Sequence, residues 1–217
     1  MKAGQHIVSL SLGTVAEPSA VAVVAPRTKF ERPKEWDGKH DRENFFDVIH
    51  LERFPAGRPI PTIVDRVSEI MSGERLTKNC HLLLDVTSTG AAPIRVFESR
   101  GLYPAKSIDL ANTDTDKSSG PVRRVPLRDV IGAAQVVLQT NRLKVASVLD
   151  LASTLVGDLQ SFDPKPVARN MDLSGGRNSD LVLALAVALW WADSLTWGAA
   201  RRVPPVRLSG QTSWMAR

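Results

Sequence analysis

From Asp180 to Ala192 the chain reads D-L-V-L-A-L-A-V-A-L-W-W-A, a single carboxylate followed only by apolar residues. A surface helix keeps a polar side for water. This stretch has none, so a helix here must be enclosed all round. It is too short to span a bilayer, which takes about 20 apolar residues, so it is expected to be a core helix. A chain of 217 residues suits one domain with a full core, or a domain plus a tail. The contents of 43% hydrophobic and 24% charged residues are those of an ordinary globular protein, with no membrane partner implied. Asp180 at the head of this helix supports two readings. With Ser179 it can cap free N–H groups and complement the helix dipole. A carboxylate at the edge of the interior is equally placed to bind a cation.

Net charge is +5, a mild lean toward polyanionic partners. It is uneven: residues 198–217 hold Arg201, Arg202, Arg207 and Arg217 and no acid. This segment reads as a basic C-terminal tail following a domain over 1–197, and such a tail also suits a plain terminus. One cysteine, Cys80, excludes an internal disulfide and fits a reducing compartment, here expected to be cytoplasmic. Glu17-Pro18 interrupts the N-terminal apolar run and argues against a secretory signal.

Ile7–Leu12 and Ala20–Val24 are apolar runs separated by Gly13, Glu17 and Pro18, the pattern of a strand, a turn and a returning strand. Residues 26–43 are charged and punctuated by Pro26, Pro33 and Gly38, which predicts an exposed loop. Phe45–Phe54 has the mixed character of a half-buried strand, completing an antiparallel meander. Pro61–Met71 has helical spacing, and Pro61 fits a helix start. His81–Val86 is a short apolar run expected of a strand covered on both faces. A turn at Thr87-Ser88-Thr89-Gly90, a helix over Ile94–Arg100 and a strand over Ala105–Leu110 follow. A meander followed by βαβ alternation predicts an α/β fold with a mixed sheet. Residues 112–124 read as loose. Leu127–Thr140 and Leu149–Phe162 read as amphipathic helices, and 163–178 as a loop. The Trp190–Trp191 pair reads as core. No G-x-x-x-x-G-K-[ST] phosphate loop is present, so these residues do not encode a P-loop ATPase.

Asp85 ends a buried strand and precedes a small-residue turn. Ligands of open α/β sheets collect at the carboxyl ends of strands. If the last helix packs across the sheet, Asp85 and Asp180 can share one site. Carboxylates gathered at one point repel unless a cation neutralises them. Two Mg²⁺ ions about 3.5–4 Å apart can activate a water and stabilise the leaving oxygen of a phosphodiester. The plainer readings are Asp85 as a turn former, Asp180 as a cap, and Glu17 as a solvated turn residue.

Four segments together resemble the C-terminal nuclease domain of the large terminase subunit of tailed bacteriophages. They are H-L-E-R-F-P-A-G-R-P-I-P-T-I-V (50–64), L-L-L-D-V-T-S-T-G (82–90), V-P-L-R-D-V-I-G-A-A-Q-V-V-L-Q-T-N-R-L-K-V (125–145) and N-S-D-L-V-L-A-L-A-V-A-L-W (178–190). The resemblance implies an RNase H-like fold: a mixed β-sheet with an antiparallel meander, flanked by helices. It implies a two-ion Mg²⁺ or Mn²⁺ site for endonucleolytic cleavage of double-stranded DNA during packaging, with Asp85 and Asp180 as catalytic metal ligands. Glu17, in E-P-S-A, takes the place of a further acid. Arg123, Arg124, Arg128, Arg201 and Arg202 would grip DNA phosphates.

Two positions depart from that pattern. Ser11 stands where the first-strand Asp is expected, and Ser179 where the last motif commonly has the first of two acids. A hydroxyl cannot replace a carboxylate's charge, so the site is expected to be weakened. The ATPase motor that accompanies such nucleases is not encoded here. The chain would be an excised domain, a split gene or a remnant acting in trans. Three functions follow: a two-metal packaging endonuclease; a catalytically inactive DNA-binding or assembly module of the same descent; or another RNase H-like nuclease such as a resolvase. Expected partners are double-stranded DNA and a separate terminase motor, small terminase subunit or portal, in the cytoplasm of a bacterial host.

Overall fold

The computed structural model describes residues 5–31, 41–74, 76, 80–111, 117–162 and 180–200. The first strands are β1 (His6–Ser11), β2 (Ser19–Glu31) and β3 (Asp41–Phe54), an antiparallel meander. Helix α1 (Ile60–Ser72) then leads back to β4 (Cys80–Asp85), which pairs parallel to β1. Helix α2 (Ala92–Ser99) leads to β5 (Lys106–Ala111), parallel to β4. A hairpin of β6 (Lys117–Ser119) and β7 (Val122–Pro126) places β7 parallel to β5. Helix α3 (Leu127–Gln139), strand β8 (Leu143–Val145), helix α4 (Ala152–Ser161) and helix α5 (Asp180–Ala200) complete the order. The described residues form one eight-stranded sheet, β6-β7-β5-β4-β1-β2-β3-β8. This is the RNase H-like mixed sheet expected from the sequence.

Side chains alternate between the faces of a strand, and the two faces build separate cores. On one face, Val8, Leu10, Val21, Val23, Leu82 and Leu84 pack with Ile63, Val64 and Val67 of α1 and Ile94 and Phe97 of α2. On the other, Ile7, Ala20, Ala22, Leu83 and Ile108 pack with α3, α4 and α5. Helix α5 is buried without interruption from Asp180 to Leu189. The sheet covers one side of it, and α3 and α4 cover the rest. Its bed on β1 and β2 is made of small residues, Ser9, Ser11, Ala20 and Ala22, all buried. Small side chains let an alanine-rich helix approach the sheet closely.

Two loops expected from the sequence are corrected. Residues 26–43 were to be exposed loop, but Pro26–Glu31 continues β2 and pairs with Asp41–Phe46 of β3. Pairing to β1 ends at Val24, so beyond it the two strands project as a ribbon with no third strand on the β1 side. Such an edge tolerates proline and charge, which is why the composition resembles a loop. Residues 117–124, read as loose, form the β6–β7 hairpin around Gly120-Pro121. Gly120 has φ 62°, as a two-residue hairpin turn opening on glycine requires. Strand β8 falls inside the 125–145 segment and is too short to show a periodicity. The loop expected over 163–178 lies outside the described residues. Helix α5 runs to Ala200; Arg201, Arg202 and the rest of the basic segment also lie outside them.

Strand β3 carries one extra residue. Its partners step from Val24↔Val48 to Val23↔His50, leaving Ile49 as a bulge. A bulge inverts the alternation downstream of it. Phe46 and Val48 face α5, and so do Leu51 and Arg53, although their numbers change from even to odd. Ile49 and Phe54 pack on the α1 face, where Glu52 accepts from Arg66 of α1 at 3.0 Å. Deleting Ile49 removes the bulge but leaves Val48↔Val24 through Arg53↔Ala20 as one unbroken alternation, so Arg53 keeps its place on the α5 face. The deletion variant is expected to keep more stability than a variant lacking the Arg53 side chain, measured by urea denaturation; a loss as severe as in the Arg53 variant would show that the bulge is needed to seat Arg53.

Candidate functional site

Cross-strand pairing sets four residues in one row at the same end of the sheet: Arg53↔Ala20, Ala20↔Ser11 and Ser11↔Asp85. Ser11, Arg53 and Asp85 come from the carboxyl ends of β1, β3 and β4, which run in one direction. By alternation all of them project toward the α5 face. Asp85 and Arg53 stand three strand spacings apart, about 14 Å along the row.

Asp85 is 2% exposed. The Ser11 hydroxyl donates to its Oδ2 at 3.0 Å. Its Oδ1 accepts from the Thr87 amide at 3.0 Å and from the Thr87 hydroxyl. The Thr87 hydroxyl oxygen in turn accepts from the Leu110 amide at 2.8 Å, which fixes the turn after β4 against β5. The turn-former reading of Asp85 is therefore satisfied in part, since its Thr87 contact is a local side-chain-to-backbone bond. Burial pushes the Asp85 carboxyl above the usual carboxylate range, and the bonds from Thr87 and Ser11 only partly offset it.

Asp180 opens α5, 7% exposed, in the first turn where a carboxylate complements the helix dipole. Its two oxygens are taken by one side chain. Arg53 Nε donates to Oδ2 at 2.7 Å and Nη2 to Oδ1 at 2.9 Å. The same Nη2 donates at 2.7 Å to Asp158 of α4, which is 6% exposed. Burial opposes the Arg53 charge, but the bonds it donates to Asp180 and Asp158 outweigh that and hold the guanidinium above its ordinary pKa. No hydrogen bond or ion pair joins Asp180 to Asp85. The fold thus puts Asp85, Ser11 and Asp180 on one face but engages the two acids separately.

The other expected site residues are dispersed. Glu17 lies on the half-exposed β1–β2 turn, at the same end of the sheet, with no ion-pair partner among the described residues. That turn is tight: a Cβ on Gly13 would sit 2.2 Å from the Pro18 carbonyl oxygen. Ser179, Arg201 and Arg202 lie outside the described residues. Arg123 and Arg124 are consecutive on β7 and so point to opposite faces. Arg123 stacks over Trp190 of α5 at 5.2 Å, and Arg124 pairs with Asp109 at 3.0 Å. Arg128 lies beside Asp129 at 3.6 Å. Sequence reading missed Arg53 and Asp158. A buried-face acid in the amphipathic α4 was a signal for Asp158; Arg53 was hidden because the bulge inverts its apparent face.

No protein-family model matches the sequence, and no curated protein matches it significantly. Solved structures do. The large terminase nuclease of the thermophilic phage G20c aligns with a TM-score of 0.52 at 16% identity, over 85% of this chain and 81% of that one. The human cytomegalovirus terminase nuclease domain, soaked with manganese, gives 0.54 at 15% identity, over 88% and 85%. The phage nuclease with bound magnesium gives 0.52 at 14%, over 87% and 82%. The chain has the fold of a terminase nuclease domain.

Whether these residues suit a pair of divalent ions depends on their oxygens. Hard cations need carboxylate oxygens free to coordinate them. Both oxygens of Asp180 are occupied by Arg53, and those of Asp85 by Ser11 and Thr87. Among the described residues, no three His, Cys, Asp or Glu side chains are grouped to hold an ion. As arranged, they do not fit a two-ion centre.

The Asp85 environment gives a prediction. Its folded pKa is raised, so its contribution favours folding while it is protonated at low pH and is lost as pH rises through the raised value. Asp85→Asn keeps the shape without the charge. Relative to wild type, its melting temperature in EDTA should gain as pH rises from about the ordinary carboxylate pKa to the raised folded value and level off above it; a difference that stays constant from about pH 4 upward would refute the assignment.

Proposed function

We propose that this chain is a terminase-nuclease-type component of viral double-stranded DNA packaging whose cleavage site is degenerate, so that it acts as a DNA-binding or assembly module. The shared fold supports the packaging context, since the similar solved domains are terminase nucleases of a phage and of human cytomegalovirus. The observation that carries the loss of cleavage is the Ser11–Asp85 bond. A neutral donor sits where an active site of this type would present a second carboxylate, and it occupies an oxygen of the remaining one. Net charge of +5 supports contact with polyanionic DNA, with Arg124, Arg128, Arg201 and Arg202 as phosphate contacts, while Arg123 stacks on Trp190. The motor, small subunit or portal of a packaging complex would be its protein partner. No helix among the described residues is long and apolar enough to cross a membrane, and the host cytoplasm is the compartment this reading implies.

Purified chain incubated with supercoiled plasmid and millimolar Mn²⁺ should leave the plasmid intact. It should bind linear duplex with an affinity that falls steeply with salt, as phosphate contacts require. Robust Mn²⁺-dependent cleavage that Asp85→Ala abolishes would establish an active endonuclease instead.

A further inference from the structure

Asp158 and Asp180 come from two helices and meet at one guanidinium. Both are at least nine-tenths buried, and neither has another charged partner among the described residues. Two such carboxylates side by side repel strongly unless a cation lies between them. The geometry points to Arg53 as a built-in cation: we propose that its guanidinium holds the position a divalent ion would otherwise take between Asp158 and Asp180, and that removing it converts this pair into a divalent-cation site. The inference deepens the degenerate-site reading and rests on it.

Three observations carry it. Arg53 binds Asp180 through two parallel N–H donors, the planar match that a guanidinium makes and a lysine does not. One of its nitrogens bridges both acids, each at 2.7–2.9 Å. Pairing with Ala20 sets Arg53 on the α5 face, in the same row as Ser11 and Asp85, so the side chain reaches the acids from the carboxyl end of β3. Chemically the substitute is incomplete. A guanidinium neutralises and orients carboxylates, but it has no open coordination position and cannot make a hydroxide from a bound water. It also cannot be extracted by a chelator.

The test is Mn²⁺ titration of the full chain, followed by the electron paramagnetic resonance of free Mn²⁺, with melting curves in Mn²⁺ and in EDTA. Wild type should melt identically in both and bind no Mn²⁺ that Asp180→Asn removes. Arg53→Gln should melt lower than wild type in EDTA and be raised by Mn²⁺. Its Mn²⁺ affinity should exceed wild type by about tenfold or more, the scale on which a neighbour's change moves metal affinity. That gain should vanish in Arg53→Gln/Asp180→Asn. Arg53→Lys keeps the charge and covers the case in which Arg53→Gln does not fold: it should fold and bind Mn²⁺ no better than wild type. Mn²⁺ held by Asp180 in wild type or in the lysine variant would overturn the proposal, as would a stable Arg53→Gln protein indifferent to Mn²⁺. These readouts use no DNA, so plasmid cleavage by wild type would overturn the functional reading separately.

Discussion

A helix with no polar side has to be walled in, and the placement of α5 governs the rest of this molecule. From Leu181 to Leu189 every residue is buried, and each large aliphatic side chain among them contributes about 1.5–3 kcal/mol on leaving water. The sheet can cover only one side, so α3 and α4 have to close the other. On the sheet side, Ser9, Ser11, Ala20 and Ala22 keep the bed shallow. A shallow bed brings the helix close to β1 and β2, and the helix start then delivers Asp180 to the end of the sheet where β1, β3 and β4 finish. Packing and site are therefore one problem: the hydrophobic demand of α5 forces a carboxylate into a place where water cannot solvate it fully.

Arg53 answers that demand. Desolvating ions is expensive, and an ion pair in such a place survives only with close geometry and its remaining donors used. The fan of bonds to Asp180 and Asp158 meets that condition, and it ties β3, α4 and α5 together through one side chain. Loss of one member of a buried pair typically costs about 3–5 kcal/mol, because the other charge is stranded. Asp85 is handled differently. It receives hydroxyl and amide donors and no cation, so its charge stays poorly compensated. The two acids on one face thus sit in opposite electrostatic situations.

The sequence was informative where a pattern reports burial directly. The enclosed helix, the short apolar β4, the β1–β2 turn at Gly13 and the helical spacing of α1 all follow from which side chains leave water. Asp85 and Asp180 were identifiable as carboxylates at the edges of apolar runs, whereas Ser11 stood out only through the resemblance to terminase nucleases. Pattern fails where pairing, not burial, makes the structure. The β2–β3 ribbon and the β6–β7 hairpin are polar strands held by backbone bonds, so their composition resembles loop. Arg53 and Asp158 were missed because a contact between residues 105 positions apart leaves no periodic trace. The resemblance to terminase nucleases rested on ordered segments, and at 14–16% identity it is the backbone that carries the likeness.

The bulge at Ile49 bears on how this cleft compares between related chains. A strand offers its residues only two directions, and the place opposite Ala20 faces α5 whether or not β3 carries an extra residue. The bulge absorbs that residue locally, so the length of β3 and the side chain presented to the acids are independent of each other. A related chain with an unbroken β3 therefore needs a one-residue gap at position 49 before its side chain over the cleft can be compared with Arg53.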